Sequence, residues 1–249
     1  MCGRYNLITD PQALLDFFGV QHSLFDPQSL RPRYNIAPTQ QVPIIRDAGG
    51  TAYWETGRGR ELALAQWRLV PHWSKDGRSA YYTINARAET VADKPAFRAA
   101  FKTRCCLIPA TGFYEWKAVD GRKLPYQIRP AGVGLFAFAG LWDRWEPHDR
   151  APEGAPDDAP DDAHDADAFD SCAIIVGPAN AAMSAVHDRM PIILPEAAYD
   201  AWLDTHTFDR EALLALLIPY QGDLETQRIS TRVNNARNEG PDCIAPASD

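Results

Sequence analysis

Apolar residues occur in short runs along most of the chain, and glycine or proline interrupts nearly all of these runs. Apolar runs of this length, bounded by turn residues, predict β-strands. The predicted strands cover residues 41–46, 62–67, 105–108, 114–118, 126–129, 135–141, 173–176 and 226–233.

Apolar residues at helical spacing predict four helices, over residues 11–18, 89–101, 195–203 and 209–217. The first has clear ends, because Asp10 suits the N-cap, Pro11 suits the first helical turn and Gly19 suits the C-terminus. Many strands and few helices in irregular order do not match the alternation of a parallel α/β sheet. We therefore predict an α+β fold, a mainly antiparallel, barrel-like β core with flanking helices, in a single domain over residues 1–249.

The segment 151–170 (APEGAPDDAPDDAHDADAFD) differs in composition from the rest of the chain. It holds eight acidic residues and no lysine or arginine, and this composition predicts a disordered insertion between two strands. The whole chain carries a net charge of −8, but outside this segment 25 acidic residues balance 25 basic ones. A local basic groove for nucleic acid is therefore compatible with the total charge.

Several classes of protein are disfavoured by the sequence. No apolar run approaches the roughly 18 residues of a membrane span, and the first residues lack the features of a secretory signal, so a cytoplasmic location is expected. The five cysteines contain no C-x-x-C pair, which argues against a zinc site and against a disulfide framework. We predict no metal and no cofactor.

Cys2 directly follows the initiator methionine. Removal of Met1 would leave a thiol and an α-amine on one residue, and an α-amine has a reference pKa of about 7.7–8.0. Such an amine can attack an aldehyde, and the neighbouring thiol can then close a five-membered ring on the resulting imine. Taken alone, a cysteine at this position is also compatible with chance.

Six further segments appear in order along the chain: RYNIAPT at 33–39, WRLVPHW at 67–73, NARAET at 85–90, RCCLIPA at 104–110, GFYEW at 112–116 and HDRMP at 187–191. Together with MCGRY at 1–5, they resemble the signature segments of the SRAP family, the SOS-response-associated peptidases. The resemblance extends from residue 1 to about residue 235.

The resemblance implies a protein that loses Met1 and traps the aldehyde of an abasic site in single-stranded DNA as a thiazolidine crosslink to Cys2. It implies that Asn85 positions Cys2 and the sugar, that Glu115 is the general acid/base, and that His187 assists proton transfer. It also implies DNA contacts, with phosphates at Arg4, Arg87 and Arg189 and with bases at Pro38 and Trp73. A monomer is expected.

The residues themselves support parts of this interpretation. Alternation along a strand points Glu115 away from Tyr114 and Trp116, and an enclosed carboxyl group would have the raised pKa that acid/base chemistry near neutrality requires. Asn85 and Arg87 are two residues apart on an extended segment and would face the same side. Two alternatives remain open: an N-terminal-nucleophile hydrolase or amidotransferase, which also begins with a processed cysteine, and a non-catalytic single-strand DNA binder.

Overall fold

A computed structural model of the protein describes residues 2–49, 59–78, 83–147, 167–204 and 206–247. Its helices are α1 (Pro11–Phe18), α2 (Arg98–Thr103), α3 (Ala181–Ser184), α4 (Tyr199–Leu203) and α5 (Arg210–Ala215). Its strands are β1 (Tyr5–Leu7), β2 (Val20–Ser23), β3 (Arg33–Ile36), β4 (Gln41–Asp47), β5 (Arg60–Trp67), β6 (Asn85–Arg87), β7 (Cys105–Ala110), β8 (Gly112–Val119), β9 (Arg122–Pro130), β10 (Phe136–Trp145), β11 (Phe169–Pro178), β12 (Arg189–Pro191), β13 (Ile193–Leu194) and β14 (Leu224–Arg228).

Five strands close into a ring in the order β4, β5, β11, β10 and β7, and β7 returns to β4 through the pairing of Leu107 with Ile45. All pairings in this ring are antiparallel except that of β5 with β11. The strands β2, β6, β12 and β13 extend the ring at its margins. Apolar side chains fill the interior, since every residue of β7 is buried. The predicted α+β fold with a mainly antiparallel, barrel-like core is confirmed.

A second, five-stranded sheet carries the N-terminus, in the order β14-β9-β8-β1-β3. The short strand β1 lies between β8 and β3, so the first residues of the chain are held on both sides. The ring of Tyr5 packs edge-on against Trp67, at a centroid distance of 5.3 Å, and against Phe138, at 5.8 Å. These contacts fasten the second sheet to the barrel.

The C-terminal segment, residues 229–247, covers one face of β8. Tyr114 is buried there in a small apolar cluster with Ile229, Val233 and Cys243. The buried side chain of Asn35 donates hydrogen bonds to the carbonyl oxygens of residues 235 and 238, at 3.0 and 2.9 Å. The segment is thereby fixed against β3 and β8.

Most predicted elements are present, with shifted ends. Helix 11–18 has the predicted bounds, and the Asp10 side chain accepts hydrogen bonds from two amides of its first turn. The predicted helix 89–101 is wrong over its first part, because residues 88–97 form turns and only Arg98–Thr103 is helical. Pro95 has no amide hydrogen to donate, and Thr90 and Asp93 favour turns over a helix interior.

The remaining corrections concern the C-terminal half. Residues 195–203 divide into a 3₁₀ turn followed by α4, and the predicted strand 226–233 ends at Arg228 and continues as a 3₁₀ turn over Thr231–Asn234. Ser230 causes this change, because its side chain accepts a hydrogen bond from the amide of Arg232 at 3.2 Å. No pattern in the sequence predicted β1, the strand that follows Cys2.

The acidic segment 151–170 falls mostly outside the described residues. Its last two residues were wrongly included in the predicted disorder, because Phe169 and Asp170 begin β11. Asp170 is buried and forms an ion pair with Arg46, at 2.8 Å between Oδ2 and Nη1. The strands on either side of the segment, β10 and β11, pair antiparallel, with Trp145 opposite Phe169.

All five cysteines are buried and in the thiol form. None of the helices in the described part of the chain is both long enough and apolar enough to cross a membrane.

Gly140 on β10 tests the close packing of the barrel. A Cβ atom at this position would lie 2.8 Å from the Ile108 side chain and 2.9 Å from Cys106 Sγ. Because neighbouring strands enclose both groups, Gly140→Ala should destabilise the protein by about 1–3 kcal/mol. Gly134→Ala is the matched control, since its Cβ would meet no atom within 4 Å. Thermal unfolding that gives equal melting temperatures for the two variants would contradict this account of the barrel interior.

Candidate active site

Cys2 lies at the edge of the second sheet, fully buried. Its thiol is 3.8 Å from the Arg4 carbonyl oxygen, the distance of a weak S–H···O contact. Burial raises the pKa of the Cys2 thiol well above its ordinary range, and the negative charge of Glu115 raises it further. The thiol is therefore neutral at neutral pH in this environment.

Asn85 fixes the backbone of Cys2. Its side-chain Nδ2 donates a hydrogen bond of 2.8 Å to the Cys2 carbonyl oxygen. The Asn85 side-chain oxygen is buried and has no hydrogen-bond partner among the residues that the structure describes. Asn85 begins β6, which runs parallel to β11, so the contact joins the N-terminus to the barrel wall. The amide thus retains an unused acceptor beside Cys2.

Glu115 lies on β8 between Tyr114 and Trp116, and its side chain projects from the opposite face of the strand. The residue is only 4% exposed. Burial raises the pKa of the Glu115 carboxyl group, and nearby positive charge opposes this rise. A buried carboxyl group of this kind can donate and accept protons at a pH closer to neutrality than an exposed one.

His187 follows α3 and precedes β12. Its Nδ1 accepts a hydrogen bond of 3.0 Å from the Arg189 amide, which places the ring proton on Nε2 in the neutral imidazole. Asp188 Oδ1 lies 2.9 Å from the same Nδ1, a contact that requires a proton there. We assign the neutral tautomer to the backbone contact, because the amide donor is fixed whereas the Asp188 side chain is 87% exposed.

A cleft of about 510 Å³ joins these groups to the surface. Its lining residues are Arg4, Glu115, Trp116, Lys123, His187 and Asn234. The buried Cys2–Asn85 pair lies behind this cleft, and Cys2 interacts electrostatically with Glu115. The structure thus brings the four predicted catalytic residues, Cys2, Asn85, Glu115 and His187, to one place.

Arg4 lies in the wall of the cleft. Its Nη1 donates hydrogen bonds of 2.7 Å to Asn35 Oδ1 and to the Val233 carbonyl oxygen. Its guanidinium carbon lies 5.8 Å from the ring centroid of Trp116. Part of the guanidinium group therefore binds the C-terminal segment. The sequence did not indicate this contact.

Arg87 and Arg189 lie on opposite sides of the C-terminal end of β11. Arg87 pairs in register with Val176 on one side, and Arg189 with Pro178 on the other. The Arg87 side chain is exposed at the end of β6, whereas Arg189 forms an ion pair with Glu89. Two cations thus flank one strand end near the cleft.

Pro38 and Trp73 are not among the described residues that line the cleft. Pro38 is half-buried in a turn between β3 and β4, and Trp73 is 53% exposed. The amide of Thr39, next to Pro38, donates a hydrogen bond of 2.9 Å to the Trp67 carbonyl oxygen. Trp67 ends β5 and leads into the segment that carries Trp73, so the two predicted base contacts lie on connected segments.

Sequence reasoning missed three residues of the cleft, Trp116, Lys123 and Asn234. Trp116 lies in the GFYEW segment but was not predicted as a site residue. Lys123 is on the β8–β9 hairpin, two positions from the turn, and Asn234 ends a 3₁₀ turn. Asn234 Oδ1 accepts a hydrogen bond of 2.7 Å from Trp116 Nε1. Lys123 and Asn234 reach the cleft only through strand pairing and through the C-terminal segment, for which local sequence carries no signal. Within the described ranges, no cluster of histidine, cysteine and acidic side chains is arranged to hold a metal ion.

The chain is similar to known proteins over nearly its whole length. The abasic site processing protein YoqW of Bacillus subtilis is 36% identical over 247 residues, covering 98% of this chain and 99% of YoqW. The abasic site processing protein HMCES of Xenopus tropicalis is 30% identical, covering 88% of this chain and 68% of that protein. A crystal structure of a protein from Bacteroides thetaiotaomicron has the same fold, with a TM-score of 0.78 at 22% identity, covering 99% of this chain and 100% of that one.

The family model described as SOS response associated peptidase (SRAP) matches residues 1–236. The match includes Cys2 and the strand β1 that follows it, the barrel, the cleft and the turn that contributes Asn234. The chain therefore belongs to the SRAP family.

Proposed function

We propose that this protein processes abasic sites in DNA, and that Cys2, freed from Met1, forms a thiazolidine crosslink with the sugar aldehyde. The observation that carries this proposal is the convergence of Cys2, Asn85, Glu115 and His187, fixed by the 2.8 Å hydrogen bond from Asn85 to the Cys2 carbonyl oxygen. The names of the relatives YoqW and HMCES support the substrate class.

The α-amine is the first nucleophile in this mechanism. The Cys2 thiol is neutral because burial and the charge of Glu115 raise its pKa. An α-amine is partly unprotonated near pH 8, so it can attack the aldehyde carbon without a thiolate. The order of the two steps thus follows from the environment of the thiol.

The reaction balances with the loss of one water molecule. The amine adds to the aldehyde to give a carbinolamine, and protonation of its hydroxyl group releases water and leaves an imine. The Cys2 sulfur then bonds to the imine carbon while the nitrogen gains a proton, which closes the thiazolidine ring. No oxidant, reductant or metal takes part in these steps, and the ring closure is intramolecular.

Glu115 and His187 are placed to move the protons of these steps. We assign to Glu115 the protonation of the departing hydroxyl group and the removal of the thiol proton, since its raised pKa suits both directions of transfer. His187 presents a protonated Nε2 in its neutral form and donates to the sugar oxygen. Asn85 positions Cys2, and its unused side-chain oxygen accepts a hydrogen bond from the substrate.

The DNA strand is held from the two sides of β11, by Arg87 and Arg189, and at the cleft by Arg4. Single-stranded DNA is the favoured substrate, because an aldehyde within a duplex is hard for a chain terminus to reach. We further propose that Met1 leaves by self-cleavage, as the peptidase name of the family suggests, and that the protein acts as a monomer in the cytoplasm, associated with the nucleoid when bound to DNA.

Replacement of Cys2 tests the attachment point. Wild-type protein should give a heat-stable adduct with a single-stranded oligonucleotide that contains an abasic site, and none with the intact oligonucleotide. The intact mass of the adduct should equal protein without Met1 plus oligonucleotide minus one water. Cys2→Ala should abolish the adduct and retain binding of the intact strand.

Cys243→Ala is the matched control, because it removes another buried thiol outside the cleft lining. Peptide mapping that finds the attachment elsewhere would overturn the mechanism. Glutamine hydrolysis without an adduct would favour an amidotransferase, and reversible binding alone would favour a non-catalytic binder.

Glu115→Gln tests the acid/base assignment. The substitution should slow adduct formation and its reversal on the order of 100-fold at neutral pH. In the wild type, the pH profile of the rate should show an inflection above the ordinary carboxyl value of 4.5, because burial raises the pKa of Glu115. The profile of Glu115→Gln should lack this inflection. Unchanged rates in both directions would remove Glu115 from the mechanism.

The stability of the same variant provides an independent check. A pKa raised by folding means that Glu115 favours the folded state below its unfolded pKa, and that this contribution is lost as the pH rises through the folded pKa. Glu115→Gln should therefore raise the melting temperature relative to wild type more at pH 8 than at pH 4. An exposed carboxyl group would give the same change in melting temperature at pH 8 and at pH 4, so this comparison tests the burial of Glu115 without any measurement of activity.

His187→Ala should reduce the rate of adduct formation at saturating oligonucleotide about 10- to 100-fold and change the affinity for the intact strand less than twofold. The physical reason is that His187 lines the cleft beside Glu115, where a proton donor serves the chemistry. His22→Ala is a suitable control, because His22 is exposed on β2. Loss of affinity with an unchanged saturated rate would reassign His187 to DNA binding.

A further inference from the structure

Trp73 lies on residues 68–78, a segment without helix or strand that is here called the Trp73 loop. The Trp73 residue is 53% exposed, so its indole ring is accessible to a ligand from solvent. Two exposed cations, Lys75 and Arg78, lie on the same loop. An aromatic ring flanked by cations matches the surface that single-stranded nucleic acids recognise through base stacking and phosphate contacts.

The Trp73 loop is fixed immediately before and after the tryptophan. The amide of His72 donates a hydrogen bond of 3.0 Å to Asp143 Oδ2. On the other side, the carbonyl oxygen of Ser74 accepts a hydrogen bond of 2.7 Å from Trp145 Nε1. Both partners belong to β10 in the barrel wall, so an exposed aromatic residue is carried by a rigidly attached backbone.

Asp143 is the centre of this attachment and is only 1% exposed. Its Oδ2 is also 3.0 Å from the ring Nδ1 of His72, and its Oδ1 forms an ion pair of 3.1 Å with Arg104 Nε. The Arg144 amide donates a further hydrogen bond of 3.0 Å to Oδ1. The backbone amides of His72 and Arg144 thus donate hydrogen bonds to this buried carboxylate, and the Arg104 guanidinium group balances its charge, so one of its two amide donors comes from the residue next to Trp73.

We infer that Asp143 is a positioning residue for DNA binding: it holds the Trp73 loop in the conformation in which the Trp73 ring stacks on a base of the single strand. A loop that is ordered before binding loses less conformational entropy on binding, and affinity increases accordingly. The inference rests on the proposed function, because it takes single-stranded DNA as the ligand. It adds a residue that lies outside the cleft and has no contact with the reacting groups.

Whether Asp143→Asn weakens or strengthens DNA binding distinguishes a positioning role of Asp143 from repulsion between its charge and the phosphates. Removal of a negative charge from a DNA-binding protein should strengthen binding through weaker repulsion of phosphates. If Asp143 holds the loop, Asp143→Asn should weaken binding instead, because the Arg104 and His72 donors lose their charged acceptor. The two explanations therefore predict opposite changes.

A double-mutant cycle with Trp73 provides the test. Affinity is measured by fluorescence anisotropy on an intact single-stranded oligonucleotide, for the wild type, Trp73→Ala, Asp143→Asn and the double variant. Trp73→Ala should weaken binding about tenfold, the loss expected for one stacked base. Asp143→Asn should weaken it roughly three- to tenfold, and the double variant should match Trp73→Ala within about twofold, since Asp143 acts through Trp73.

Glu61→Gln is the matched control, because it also neutralises a buried carboxylate, on β5, that is ion-paired with Arg46 rather than with the Trp73 loop. Its affinity should equal that of the wild type. In the crosslinking reaction, Asp143→Asn should raise the oligonucleotide concentration that gives half the maximal rate and leave the saturated rate within about twofold. Independent effects that multiply in the double variant, or tighter binding by Asp143→Asn, would overturn the inference.

Gly77→Ala keeps the test decisive if Asp143→Asn does not fold. Gly77 has φ +63°, and a Cβ there would lie 3.0 Å from the ring of Trp145, so alanine at this position strains the loop without removing the Asp143 carboxylate. This variant should also weaken binding of the intact strand, and equal affinity would contradict a role for loop conformation. These assays use intact strands, so they test the inference even if no abasic-site adduct forms. If the wild type binds no single strand at all, the proposed function itself is refuted.

Discussion

Burial of the first strand between two neighbours is the constraint on which the rest of the site depends. Chain termini usually fray, but β1 is an interior strand with Tyr5 packed against Trp67 and Phe138. The buried Asn6 side chain adds a hydrogen bond of 2.6 Å to the Tyr114 hydroxyl. These contacts hold Cys2 where its carbonyl oxygen accepts the Asn85 hydrogen bond and its thiol interacts with Glu115.

The same burial determines the chemistry that Cys2 can undergo. Desolvation keeps the thiol protonated and raises the pKa of Glu115, so the two acidic groups avoid adjacent negative charges. A neutral thiol beside an α-amine favours attack by nitrogen first and sulfur second. The carboxyl group, open to a cleft on one side, is then available to exchange protons in both steps.

In the proposed mechanism, recognition of the DNA strand and the chemistry take place on different parts of the fold. The reacting groups lie where β8, β6 and the segment before β12 meet, whereas the exposed tryptophan lies on a loop attached to β10. Both parts rest on the barrel, whose closed hydrogen bonding leaves little freedom for relative movement. A rigid scaffold that presents separate binding and reacting surfaces suits a substrate that extends over several nucleotides.

The sequence by itself determined the family, the α+β class and the first helix, and its motifs indicated Cys2, Asn85, Glu115 and His187 as the candidate site, because these depend on motifs and on local turn, cap and strand chemistry. It predicted a helix over 89–101 where proline and turn residues prevent one, and it gave no sign of β1. Only the tertiary structure decided that Lys123 and Asn234 line the cleft, that Arg4 holds the C-terminal segment and that Asp143 anchors Trp73. The physical reason is that strand pairing and buried hydrogen bonds join residues far apart in the chain, and the pattern of any one segment does not encode its distant partner.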